Sequence, residues 1–214
     1  MVSHTSAKAI PLHQVQTQRL KNKKRQIGLI GGTFNPVHQA HLIMAEQVLS
    51  RLGLDAIWFL PDNIPPHKQK KSAIDANYRV EMLKLAIEDN DDFDLNLSEI
   101  YRGGVSYTLK TIKALQEQHQ DIDFYFILGG DMIQDLPNWY KIEELLPLVT
   151  FVGVKRPGYE VASPYPVIWV DSPLLEISST QIRKRCQNHE SIRYLVPKKV
   201  MNYINEKGLY QDES

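Results

Sequence analysis

The sequence predicts a doubly wound α/β domain with a mostly parallel sheet and helices on both faces. Three observations carry that expectation. Apolar runs of strand length recur between residues 27 and 170, segments with helical spacing separate most of them, and several runs close on Gly-Gly or Pro-Asp. Parallel strands joined through helices need right-handed crossovers, and in such sheets ligands bind beyond the carboxyl ends of the strands.

Each element follows from its residues. Ile27-Gly28-Leu29-Ile30 runs into Gly31-Gly32, the pattern of a buried strand entering a tight turn. Leu42, Ala45, Leu49 and Leu52 repeat at helical spacing and stop at Gly53, a suitable helix C-terminus. Ala56–Leu60 is a second buried strand, closed by Pro61-Asp62-Asn63 and followed by the polar loop Ile64-Pro65-Pro66-His67-Lys68. Val80, Leu83, Ala86 and Ile87 form one face of a helix, and Phe93–Leu97 alternates like a strand. Thr108–Gln118 reads as helix, Phe124–Leu128 as a strand into Gly129-Gly130, and Trp139–Leu146 as helix. Phe151–Val154 and Val167–Val170 complete the strands, and Gln181–Cys186 and Lys199–Glu206 the helices.

The chain has 214 residues, enough for one domain at roughly 150 residues per domain, with a tail. Residues 1–25 carry few large apolar side chains and read as a flexible basic tail, leaving residues 26–214 as a single domain. The tail has no apolar segment of the kind a secretory signal needs, and too little Ser to favour an organellar leader over a plain extension. Lys plus Arg equals Asp plus Glu, at 25 each, and this neutrality argues against a dedicated nucleic-acid binder. It conceals an asymmetry, because six of the basic residues lie in the acid-free first 26 and the remainder is formally −6. The longest apolar runs fall far short of the ~20 residues that span a bilayer, so no membrane partner is expected. The single cysteine, Cys186, forms no disulfide within the chain and fits a reducing, cytoplasmic setting as a buried inert thiol. Nothing in the composition selects between a monomer and a homo-oligomer.

The first strand end reads Gly31-Gly32-Thr33-Phe34-Asn35-Pro36-Val37-His38-Gln39-Ala40-His41-Leu42. Glycines permit close backbone approach, and the helix that follows aims free N–H groups at whatever sits there, an arrangement suited to phosphate. Neither G-x-G-x-x-G nor G-x-x-x-x-G-K-[ST] is present. His38 and His41 are three apart at the helix start, so both imidazoles share one face. The residues alone leave open a phosphate site or a pair of ordinary capping histidines. A metal site lacks a third ligand at convincing spacing. Ile177-Ser178-Ser179-Thr180-Gln181-Ile182-Arg183 places hydroxyls at a second helix start with a cation one turn in, which reads either as an anion site or as a plainly capped helix.

Together these segments resemble the nucleotidylyltransferase superfamily. Gly31–Leu42 is similar to its G-x-F-D-P-x-H-x-G-H signature, with Asn35 standing for Asp and Ala40 for Gly, and Ile177–Arg183 to its second signature, I-S-S-T-x-I-R. Three further segments look like the bacterial nicotinate-nucleotide adenylyltransferase branch: Pro65-Pro66-His67-Lys68, Ser106-Tyr107-Thr108, and Gly129-Gly130-Asp131 followed by Trp139. Arg156-Pro157-Gly158 also resembles a turn of that family, and the likeness covers about residues 26–208.

The resemblance implies a Rossmann-like nucleotidylyltransferase fold and the reaction of ATP with nicotinate mononucleotide to give deamido-NAD and pyrophosphate, with Mg²⁺ on the triphosphate. It implies catalysis by His38, His41 and Arg183. ATP contacts would come from Gly31, Gly32, Thr33, Phe34, His38, His41, Gly129, Asp131, Ile177, Ser178, Ser179, Thr180 and Arg183. Nicotinate mononucleotide contacts would come from Asn35, His67, Lys68, Tyr107, Thr108, Trp139 and Arg156, with Trp139 stacked on the pyridine ring. Competing expectations are an acceptor such as nicotinamide mononucleotide or phosphopantetheine, and a non-catalytic nucleotide-binding regulator.

Overall fold

The computed structural model describes residues 10–11, 24–64, 73–155, 162–173 and 175–211. Its strands are β1 (Arg25–Gly32), β2 (Ala56–Pro61), β3 (Phe93–Leu95), β4 (Ile122–Gly129), β5 (Thr150–Lys155) and β6 (Val167–Asp171). Its α-helices are α1 (Gln39–Leu52), α2 (Ala76–Ile87), α3 (Ser98–Arg102), α4 (Thr108–Gln118), α5 (Gly130–Asp135), α6 (Ile142–Leu145), α7 (Ser179–Gln187) and α8 (Lys198–Glu206). The strands form one parallel sheet in the order β3-β2-β1-β4-β5-β6, the order that defines the doubly wound dinucleotide-binding folds. No helix among the described residues is long and apolar enough to cross a membrane.

The chain divides into two compact units, one of Met1–Ile30, Met44–Trp58 and Tyr107–Leu174, the other of Gly31–Ile43, Phe59–Ser106 and Leu175–Ser214. In the first, β1 pairs with β4, β4 with β5 and β5 with β6, in registers that set Leu29 beside Phe126, Ile127 beside Val152 and Val152 beside Ile168. These strands are near-continuous apolar runs because a parallel sheet is covered on both faces; Ile27, Leu29, Phe151, Val152, Val167 and Val170 are all buried. Close packing accounts for two glycines: a Cβ at Gly28 would stand 2.4 Å from Ile57 Cδ1, and one at Gly153 2.4 Å from the Trp169 ring. In the second unit, α2 and α8 pack together around Val80, Leu83, Val200 and Ile204. Asp75 caps α2 by accepting from the Asn77 N–H at 2.8 Å.

The structure changes several expected boundaries for local reasons. Gly31 and Gly32 end β1 in extended conformation; the left-handed residue of the following turn is Phe34, with φ 48°. The helix expected over Trp139–Leu146 is only α6. Lys141 enters the left-handed region at φ 53°, and Pro137 and Pro147 sit in short 3₁₀ turns, Leu136–Asn138 and Leu146–Leu148. The strand expected to Leu97 stops at Leu95, since the Asn96 side chain accepts from the Ser98 N–H and opens α3. Of the expected tail, the described residues are Ile10, Pro11, Lys24 and Arg25; the Ile10 N–H donates to the Val167 carbonyl at 3.4 Å.

Candidate active site

The second unit contains both signature segments. β1 delivers Thr33–His38 at its carboxyl end, and α1 starts at Gln39 with no acidic side chain in its first turn, the Gln39 N–H donating to the Leu195 carbonyl at 2.9 Å. Phe34 is buried, 5.1 Å edge-on to His41 and 5.9 Å from Phe59. A Cβ at Gly32 would come within 3.3 Å of the Phe34 ring, so the glycine gives that ring its seat.

His38 and His41 stack with ring centroids 3.7 Å apart and 23° between planes. The His38 backbone N–H donates to His41 Nδ1 at 3.2 Å. In the neutral ring this leaves the His41 proton on Nε2, so the side chain presents an N–H donor. Burial lowers the His38 pKa to about 4, and burial together with the neighbouring His38 holds His41 well below its usual value. The pair therefore stands as two neutral imidazoles. His38 Nδ1 is buried with no hydrogen-bond partner among the described residues.

The second signature folds onto this loop. Ser178 caps α7 by accepting from the Gln181 N–H at 3.2 Å. The Ser179 hydroxyl donates to the Pro36 carbonyl at 2.8 Å, and Arg183 donates through one terminal nitrogen to the Asn35 carbonyl at 2.8 Å and through the other to Thr180 Oγ1 at 3.2 Å. Segments more than 140 residues apart are thus bonded directly. Ser179 and Arg183, expected on phosphates, hold the loop's carbonyls here, although a guanidinium has five N–H donors and keeps some in hand. Ile177 is half-buried and Ser178 and Thr180 are exposed. Asn35 is buried at 4% exposure, its side-chain Oδ1 accepting from the Tyr210 hydroxyl at 2.8 Å, and so braces the turn from within.

Three residues that sequence reasoning did not single out complete the support. Arg79 of α2 is 2% exposed and donates to the Thr33 carbonyl at 2.8 Å, to the Ile74 carbonyl at 3.2 Å and to Asp62 at 3.3 Å. Asp62 in turn accepts from the Thr33 hydroxyl at 2.8 Å. Arg79 lies four residues before Leu83 on the buried stripe of its helix, and a cation on an apolar stripe is the signal that could have found it. Tyr210 carries no such local mark. Asn63 donates from its side chain to the Gly104 carbonyl at 3.1 Å and from its backbone N–H to Ser106 Oγ at 3.0 Å, so the left-handed Gly103 and Gly104 form a hydrogen-bonded turn.

The first unit holds Gly129, Asp131, Tyr107, Thr108 and Trp139. A Cβ at Gly129 would meet the Asp131 carboxylate at 2.8 Å, and Asp131 is exposed in the first turn of α5. Tyr107 lies 4.7 Å from Tyr140 and Thr108 begins α4. Trp139 is half-buried, edge-on to Phe126 at 5.8 Å and Phe151 at 6.4 Å, and its Nε1–H is buried without a partner among the described residues. His67, Lys68 and Arg156 lie outside the described residues. Among the described residues no three His, Cys, Asp or Glu side chains gather as a metal-binding group. Cys186 is buried, and burial raises its thiol pKa.

Residues 29–185 match the cytidylyltransferase-like family model. The chain is 52% identical over 202 residues to a probable nicotinate-nucleotide adenylyltransferase of Enterococcus faecalis, covering 94% of this chain and 92% of that one. It is 50% identical over 187 residues to the nicotinate-nucleotide adenylyltransferase of Bacillus subtilis, covering 87% and 99%. Among solved structures, Plasmodium falciparum nicotinic acid mononucleotide adenylyltransferase complexed with APC is similar at a TM-score of 0.73 and 21% identity, over 88% of this chain and 98% of that one, and this likeness shows the fold. With half its residues identical over nearly its whole length, the chain belongs to the nicotinate-nucleotide adenylyltransferase family.

Proposed function

We propose that this chain transfers the adenylyl group of ATP to nicotinate mononucleotide, giving deamido-NAD and pyrophosphate, as a cytoplasmic step of NAD biosynthesis. The supporting observation is that Ser179 and Arg183 bond to the carbonyls of the same loop that leads into His38 and His41. A polyphosphate lying along that loop meets an N–H donor, a guanidinium and two helix N-termini within one unit.

The mononucleotide phosphate is the nucleophile. With a second pKa of about 6 it is mostly dianionic near neutral pH, and no protein base is needed. One of its oxygens bonds to the α-phosphorus of ATP, the bond from that phosphorus to the bridging oxygen breaks, and the electron pair leaves with pyrophosphate. His41 donates from Nε2 to a non-bridging oxygen of the α-phosphate, where charge develops. His38 supports that ring and reaches the triphosphate, while Arg183 and the α7 N-terminus at Ser178–Thr180 receive the leaving pyrophosphate. Gly31, Gly32, Thr33 and Phe34 shape the loop against ATP, and Gly129 and Asp131 take its nucleoside side. Trp139, Tyr107 and Thr108, with His67, Lys68 and Arg156, hold the nicotinate mononucleotide; Asn35 acts as the brace of the turn. Mg²⁺ bound to the triphosphate would neutralise part of its charge. The imidazoles of the loop and the guanidinium of α7 are not the oxygen ligands that a hard cation prefers, so the phosphates and waters would carry it.

Pyrophosphate release with nicotinate mononucleotide, nicotinamide mononucleotide and phosphopantetheine tests the reading. Nicotinate mononucleotide should give the highest kcat/KM, on the order of tenfold or more above the others, because a site built for a polar group rejects analogues that lack it. Preference for phosphopantetheine, or ATP binding with no pyrophosphate from any acceptor, would overturn it.

A further inference from the structure

We infer that Tyr210 is a positioning residue for the triphosphate clamp, acting through Asn35. The residue lies beyond α8, where the chain turns through Gly208 at φ 60° and then through Tyr210 itself at φ 63°. Glycine adopts that region freely, but for an aromatic residue it is costly. What the strained backbone achieves is delivery of a phenol into the interior: Tyr210 is 9% exposed and its hydroxyl donates to Asn35 Oδ1 at 2.8 Å. Burial pushes the phenol pKa far up, so the group remains a donor throughout the working pH range.

The acceptor is the junction of the clamp. Through its carbonyl, Asn35 accepts from Arg183, and the carbonyl of the next residue, Pro36, accepts from Ser179. Thus the hydroxyl holds the side chain of Asn35, while α7 holds the carbonyls of Asn35 and its neighbour Pro36. The anchor at the chain's end is itself secured: Lys199 of α8 pairs with Glu88 and with Asp89 at 3.1 Å, just past α2, the helix that carries Arg79. Losing the phenol O–H would remove one donor from the Asn35 side chain in a buried site and let the turn re-orient. Arg183 and Ser179 would shift with it. Asn35 stands where the superfamily signature has Asp, and Tyr210 supplies a neutral donor to a neutral acceptor, so no carboxylate at this position competes with phosphate for Arg183.

Activity assays of this inference rest on the proposed adenylyl transfer, so the primary measurement is the affinity for Mg²⁺–ATP by calorimetric titration, which does not. Tyr210→Phe removes only the hydroxyl and should weaken Mg²⁺–ATP about fivefold to tenfold, the usual effect of one buried hydrogen bond. The KM for nicotinate mononucleotide should stay within about twofold. Asn35→Ala should give the same division, and the double variant no greater loss than either single change. Leu209→Ala serves as the structural comparison, since Leu209 lines a separate cavity of about 430 Å³ with Cys186, Ile192 and Ile204; it should lower Tm and leave the ATP affinity unchanged. Unaltered ATP affinity in folded Tyr210→Phe, or equal losses for both substrates that follow Tm in all the variants, would overturn the positioning role. Should Tyr210→Phe fail to fold, Asn35→Ala alone decides. A wild-type chain that binds ATP without adenylating nicotinate mononucleotide defeats the functional reading and leaves the titration to judge Tyr210.

Discussion

The stacked pair His38–His41 is where the residue scale decides the chemistry. Two imidazoles with centroids 3.7 Å apart, both held below their ordinary pKa by burial, act as neutral groups rather than as two cations. His41 then contributes a directed N–H, and His41→Ala should lose on the order of 10²–10³ in turnover while keeping its circular dichroism spectrum, as for removal of one preorganised donor; near-normal turnover would contradict this. For His38 the pH dependence has a definite sign. Between pH 6.5 and about 4 the unfolded ring takes up a proton that the folded ring refuses, so this contribution is fully present above 6.5 and is lost as pH falls toward 4. The loss amounts to at most about 3 kcal/mol for a shift of this size. Tm measured from pH 7 to pH 5 should fall less in His38→Asn than in the wild type; parallel slopes would argue against a buried neutral ring. The histidines, Ser179 and Arg183 were legible in the sequence because motif spacing is local. Arg79, Asp62 and Tyr210 were not, because what defines them is a partner far along the chain: Tyr210 meets Asn35 across 175 positions.

At the element scale, strands were easier to read than the short helices. β4, β5 and β6 are apolar runs fixed by burial on both faces, and α4 lies over Thr108–Gln118 as its spacing predicts. α3 and α5 escaped notice because five or six residues show too little periodicity, and α6 shrank because a left-handed Lys141 and two prolines interrupt a pattern that looks helical by spacing. The link between α2 and the end of β2 is the element-level device that matters for the site. Arg79 joins the Thr33 carbonyl to Asp62, where β2 has just ended, and also reaches the Ile74 carbonyl. Arg79→Met should destabilise by about 3–5 kcal/mol in urea unfolding, since it removes one donor from a largely buried carboxylate and from three carbonyls, those of Thr33, Ile74 and Asn63. Arg79→Lys should recover little of this, because one ammonium cannot reproduce the planar fork. A change below about 1 kcal/mol in Arg79→Met would show the bridge to be incidental.

Over the whole molecule, the doubly wound order 3-2-1-4-5-6 fits the proposed phosphate loop at the first strand end, because the strand order reverses at β1 and ligands in such sheets bind beyond the carboxyl ends at that point. The fold class and family were legible because apolar runs and two distant signatures survive in one sequence. The support of the site was not, since it depends on long-range hydrogen bonds from α2 and the C-terminal turn. The proposed ATP contacts lie in one unit apart from Gly129 and Asp131, and Tyr107, Thr108 and Trp139 belong to the other. Trp139→Ala should accordingly raise the KM for nicotinate mononucleotide several-fold more than that for ATP, and equal effects would mark the indole as packing for Phe126 and Phe151. The most direct test of the central claim follows the α-phosphate itself. With ATP labelled at that phosphorus and nicotinate mononucleotide as acceptor, the account predicts all transferred label in the dinucleotide and none in pyrophosphate; label recovered only in ADP or AMP, with no dinucleotide formed, would contradict it.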